Sequence, residues 1–241
     1  MDAALHKPGM QQVGELLRGD TPSVFAWSRR PTLRQFLLHA TVVVAGAGLY
    51  GAAMGWWRSP DQAIYVAIKF PLIILLVVIG NALVNAMLAP LLGLDVTFRQ
   101  SLFAILMSFS IAAAILGSFS PLSAFLIWNV PDMVPNAQIS NGTYAFIKLT
   151  HVVIIAFAGI AGNARLFQLL ARLSGGKAVA RRVLFAWLAI NLFLGSQLSW
   201  ILRPFIGAPH LPVTFLRSTA FEGNFYENVF HTITNLFQHF D

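Results

Sequence analysis

The sequence predicts an all-α polytopic membrane protein, a bundle of five transmembrane helices with an amphipathic helix at each end. Three observations predict it. The 241 residues are 57% hydrophobic and only 10% charged, against about 25% charged in an ordinary soluble domain. The mean hydropathy is +0.69, so most of the surface has to meet lipid or other apolar protein. Five apolar stretches each supply the roughly 20 helical residues that cross a hydrocarbon core about 30 Å thick. The basic residues are sorted to one side of those stretches, the pattern left by the resistance of Lys and Arg to translocation.

The elements follow in order. Residues 1–36 form a polar tail in which Met10, Val13, Leu16 and Leu17 share one helical face. Phe25 and Trp27 beside Arg29 and Arg30 have the make-up of an interfacial anchor, aromatic body in the headgroups and cation toward phosphate. The spans occupy residues 37–202. They are expected at Leu37 to Trp57, Ile64 to Leu92, Ser101 to Phe119, Ala145 to Leu170 and Val183 to Leu202. The segment Pro121–Trp128 is apolar but too short to cross, and reads as re-entrant or interfacial. The first 30 residues are mixed and polar rather than a short charged run followed by an apolar core. The first span is therefore expected to act as the targeting signal.

Residues 203–241 are expected to form a cap and a C-terminal helix. Arg203-Pro204 ends the last span, because proline cannot continue the hydrogen-bond ladder. Gly207, Pro209 and Pro212 then force irregular, stiff chain. After them Phe221, Phe225, Val229, Ile233, Leu236, Phe237 and Phe240 recur at three- and four-residue steps, an apolar helical stripe. No Lys or Arg falls within 222–241. A helix that binds anionic lipid carries basic residues, so docking against protein is the expectation here.

Charge sorting gives the orientation. Lys7, Arg18, Arg29, Arg30 and Arg34 in the tail, Arg99 after the second span, and Arg165, Arg172, Lys177, Arg181 and Arg182 around the fourth loop share one side. With four acids there, that side is net +7. The other side holds Arg58, Lys69, Lys148, Arg203 and Arg217 against five acids, net zero. The first side is expected to be cytoplasmic, with the N-terminus inside and the C-terminus outside. The same asymmetry accounts for the pI near 10.4 without a nucleic-acid partner, because the cations are few and scattered between spans.

No catalytic constellation is legible, and the chain is not expected to be an enzyme. It has no cysteine, which removes disulfides, thiol catalysis and Cys-ligated metals. Its six histidines (His6, His39, His151, His210, His231 and His239) lack the clustered spacing of a zinc motif. No metal or cofactor is expected, and no small-molecule substrate is identified. Lys69 and Lys148 lie near span ends, where lysine snorkels to the interface. Asn81 and Asn85, at i and i+4, are able to bond across helices or to line a polar path. Lys148 and His151 are the other candidates for such a path. No Asp or Glu lies in the middle of a span, which weighs against a proton-coupled carrier. Ala47, Gly51 and Gly55, and again Asn191, Gly195 and Ser199, place small or polar residues at four-residue steps, the signature of close helix packing. The residues expected to meet a partner are Trp200, Arg203, Phe205, Arg217, Phe221, Phe225, Tyr226 and Phe230, whose aromatic and Arg content suits interface anchors. Pairing of Arg203 and Arg217 with Glu222 or Glu227 is the alternative use of the cap.

The stretch Gly80-Asn81-Ala82-Leu83-Val84-Asn85 through Leu92-Gly93-Leu94-Asp95-Val96-Thr97-Phe98-Arg99-Gln100 resembles the YIP family, the five-span Ypt/Rab-interacting membrane proteins and their bacterial relatives. The likeness covers about residues 70–120. It implies a non-enzymatic integral membrane protein that organises partners or membranes. The tail here is shorter than the partner-binding region of that family, and the aromatic C-terminal segment departs from it. The expectation is a structural or assembly subunit of the bacterial inner membrane, set in the lipid bilayer, that binds other membrane proteins or itself through spans one and five and the outer cap. A channel, or the membrane subunit of a transporter, is the alternative.

Overall fold

The computed structural model describes residues 14–15, 21–133, 141–208 and 211–238. Their regular elements are helices: α1 Thr21–Arg29, α2 Leu33–Trp56, α3 Pro60–Leu91, α4 Phe98–Trp128, α5 Asn141–Leu173, α6 Lys177–Leu202 and α7 Phe225–Gln238. Helices α2 to α6 are long and apolar enough to span a membrane. The helical face of Met10, Val13, Leu16 and Leu17 lies outside the described residues.

Local chemistry starts these helices where they start. Thr32 and Thr97 each accept from the backbone three residues on, and Gln35 and Gln100 return the bond to the cap residue. These reciprocal capping boxes satisfy donors that a helix end would otherwise leave bare. Ser59 caps α3 and Pro60 follows at its first position, where a missing N–H costs nothing. The α3 C-terminus closes with Leu94 N–H on Ala89 O at 2.9 Å and Gly93 N–H on Pro90 O at 3.0 Å. Gly93 takes φ +89° there, which suits a residue without Cβ.

The spans pack as a ring in the order α2, α3, α6, α5, α4, with α3 and α4 also in contact across it. The triangle α2/α3/α4 is the tightest part. A Cβ on Gly51 would sit 2.6 Å from Val66 O, and one on Gly55 2.6 Å from Gln62 O. Gly46 comes closer still to the Ala113 carbonyl of α4. Lipid tails are as apolar as the helices, so close van der Waals approach takes the place of a hydrophobic drive. The small residues of the first span are thus filled by spans of the same chain. Gly195, by contrast, meets only ordinary contact from Val77.

Between α3, α4, α5 and α6 lies the main core, including Ile74, Val78, Phe103, Met107, Leu166, Leu169 and Trp187. The outer surface stays apolar. On α3, Ile64, Ile68, Leu72, Leu76, Ile79 and Leu83 are exposed at three- and four-residue steps, one stripe facing outward. A greasy exterior of this extent is what a bilayer covers.

Two sequence expectations are corrected. Pro121–Trp128 is not a separate re-entrant segment but the last two turns of α4. Pro121 cannot bond the Gly117 carbonyl four residues back, and Ser120 Oγ donates to that carbonyl instead, at 2.7 Å. The helix therefore runs through the proline. Nor is Trp27 a headgroup anchor: it is fully buried in the main core. Its helix, α1, lies against α4 and α5, and Gln100 Nε2 holds the Arg29 carbonyl at 3.2 Å.

Candidate functional site

The end of the bundle opposite α1 carries the cap. Its chain has no ladder of its own, so its carbonyls need other donors. One face of α3 supplies them. Gln62 Nε2 donates to Pro204 O and Phe205 O, both at 2.9 Å. One turn on, Tyr65 meets Phe215 edge-to-face at 5.6 Å. One more turn on, Lys69 Nζ donates to Pro204 O and Thr214 O, both at 3.4 Å. From the α2–α3 turn, Arg58 reaches Met133 O at 3.0 Å and Leu211 O at 3.2 Å. From α5, Tyr144 Oη donates to Gly207 O at 2.9 Å. Phe205 and Ile206 fill the space beneath, packing against the cluster of Tyr50, Val66 and Ile154.

The candidate partner residues are thereby divided. Trp200, Arg203, Phe205 and Arg217 are half-buried in the base of the cap. Arg217 donates to Arg203 O at 3.3 Å and to Trp200 O at 3.5 Å, and the Arg203 guanidinium lies over the Trp200 ring. Phe221, Tyr226 and Phe230 are exposed, Phe221 to 78% and Phe230 to 64%. Phe225 is half-buried, and its N–H donates to Gln197 Oε1 at 3.1 Å. Tyr226 stacks on Phe193 at 5.4 Å and donates to the Phe193 carbonyl at 3.2 Å. These bonds join the first turn of α7 to α6 five and nine residues before that helix ends.

The candidate polar path is not one feature. Asn85 donates to Asn81, and Asn81 donates to Asn191 of α6 and, at 3.3 Å, to the Trp187 carbonyl. Asn81 and Asn85 are fully buried, so this ladder ties α3 to α6. His151 pairs with Tyr50 at 2.7 Å. Tyr50 in turn lies 6.1 Å from the Phe70 ring, which puts that pair about 16 Å along α3 from Asn81, at 1.5 Å per residue. Between them Ile73, Ile74, Val77 and Val78 are buried. Lys148 is exposed, its Nζ 5.5 Å from the centre of the Tyr144 ring. Asn163 bonds the Gly159 carbonyl of its own helix. Lys69 does not snorkel: the returning cap covers it completely.

The residues that hold the cap, Gln62, Tyr65, Arg58 and Tyr144, are not singled out by the sequence reading. Their signal is present in part. Gln62 and Lys69 stand seven residues apart with Tyr65 between, a polar face at the start of a span that is apolar from there to Asn81. What that face bonds depends on where residues 204 and 214 return, and spacing carries no such information.

Fold and surface define the class: an integral membrane protein of five helical spans, closed at one end by a bonded cap. No protein-family model, no curated protein and no solved structure matches the chain.

Proposed function

We propose that the protein is a non-enzymatic assembly subunit of the bacterial inner membrane, binding another membrane protein or a second copy of itself through the cap and α7. One observation carries the reading. Phe221, Tyr226 and Phe230 stand exposed on and beside a helix that is anchored to the bundle through Phe225 and Tyr226. Exposed aromatics on a rigid base have the composition of interface anchors. The absence of Lys and Arg from residues 222–241 favours protein over anionic lipid as what covers them. The cap end faces outward and the N-terminal end the cytoplasm, on the strength of the +7 against zero charge sorting. The resemblance of residues 70–120 to the YIP family supports a partner-organising role. The buried, mutually bonded Asn81 and Asn85 favour helix packing over conduction.

The test is mass in mild detergent after extraction from native membranes. The full chain is expected in a complex heavier than one chain plus its micelle. A chain ending after Arg217 is expected to run as a monomer. A monodisperse monomer for the full chain would overturn the reading.

A further inference from the structure

Three cations meet at the base of the cap, and among the described residues their partners are all neutral. Lys69 and Arg217 donate to the carbonyls of two consecutive residues, Pro204 and Arg203. That brings both to one short piece of chain, and Arg203 itself is the third cation. Their acceptors are backbone carbonyls at 3.3 to 3.5 Å, the long end of the hydrogen-bond range. The Arg203 guanidinium has the Trp200 ring beneath it and no hydrogen bond to a described residue. Two more donors of the same group, Trp200 Nε1 and Thr214 Oγ1, are buried without an acceptor among the described residues.

Such a cluster is costly as it stands. A buried ion that lacks a counter-charge costs several kcal/mol, and Lys69 is fully buried. Like charges add to this. Burial first, and then the neighbouring Arg217 charge, push the Arg203 guanidinium below its ordinary pKa. Guanidinium does not escape by losing its proton, because it stays protonated across the ordinary pH range. The remaining remedy is an anion. The fork of an Arg matches the oxygens of phosphate. The position fits as well: Arg203 follows the last residue of α6, where a span leaves the hydrocarbon for the headgroups.

We propose that Arg203, Arg217 and Lys69, with Trp200 Nε1 and Thr214 Oγ1, form a binding site for a phosphate group at the base of the cap. The phosphate is that of a phospholipid headgroup or a free inorganic one. Arg203 and Arg217 contact the oxygens, and Lys69 supplies charge from below. The site is independent of the partner reading above, since the exposed aromatics of α7 are not part of it.

The experiment is thermal stability of the purified full chain in a phosphate-free, uncharged detergent, titrated separately with inorganic phosphate and with short-chain phosphatidylglycerol. A saturable rise in Tm with either probe is expected, and the probe that produces it identifies the source. Arg203→Gln, which removes no hydrogen bond to the described protein, is expected to weaken binding by at least about tenfold, the equivalent of one charged hydrogen bond. Thr214→Val removes a hydroxyl that no described group accepts, and is expected to weaken binding several-fold. It decides the matter if Arg203→Gln does not fold. Arg99→Gln, at the other end of the bundle, should bind as the parent does. The proposal fails if neither probe raises Tm, or if Arg203→Gln and Thr214→Val bind as tightly as the parent chain.

Discussion

At the scale of single residues, the fold is set by what has no room. Gly46 lies against the Ala113 carbonyl and Gly162 against Ser108 O, where a Cβ would stand 2.6 Å away. Gly159, one turn from Gly162, has open space around it. Gly46→Val is expected to destabilise by about 1–3 kcal/mol or more, the range for overpacking. Gly159→Ala should leave the melting temperature in detergent unchanged or slightly raised. The asparagines allow a second comparison. Asn81 bonds Asn85, Asn191 and Trp187, whereas Asn85 Oδ1 is buried without a described partner. Asn81→Leu is therefore expected to cost more than Asn85→Leu, up to the roughly 1.7 kcal/mol that interhelical polar bonds reach in membranes. Equal losses in chemical unfolding would contradict the ladder. A buried histidine completes this scale. Ser110 donates its proton to the Met107 carbonyl at 2.8 Å, so it accepts from His39 Nδ1 at 2.9 Å. The neutral ring then carries its proton on Nδ1.

At the scale of elements, the spans were legible because their signal is length and apolarity, and both survive into the structure. The five expected spans become α2 to α6, each longer than its apolar stretch. Polar ends such as Lys177 to Arg182 lie on α6 without belonging to its apolar core. Pro121 misled for a specific reason: the serine before it replaces the lost bond. Trp27 misled because its type suits both an interface and a core, and the helix that buries it is set by contacts distant in sequence. The cap was legible as irregular chain ending in helix, but not as bonded chain, since its donors come from Gln62, Lys69 and Tyr144. Among the described residues, helix α7 meets the bundle mainly through its first turn. The Phe193–Tyr226 stack is worth about 0.5–1.5 kcal/mol. A chain ending after Arg217 should thus keep nearly the full melting temperature of the parent while losing its complexes. Collapse of the bundle in that variant would assign α7 a structural role instead.

At the scale of the whole molecule, five spans put the two ends of the described chain on opposite faces, with turns 92–97 and 174–176 at the α1 end and the cap at the other. The cysteine-free sequence makes the orientation easy to test. Asp95→Cys and Ser218→Cys each introduce a lone thiol at an exposed turn. A membrane-impermeant maleimide should label position 218 in intact cells and position 95 only after permeabilisation; the reverse pattern would invert the topology. The proposed function requires that protein covers the aromatic surface of the cap and α7. It is tested most directly by a photo-crosslinking side chain at Phe221 in intact native membranes, with one at lipid-facing Leu76 for comparison. A protein adduct of one discrete mass is expected from position 221, and lipid adducts alone from position 76. Lipid adducts alone from both positions would contradict it.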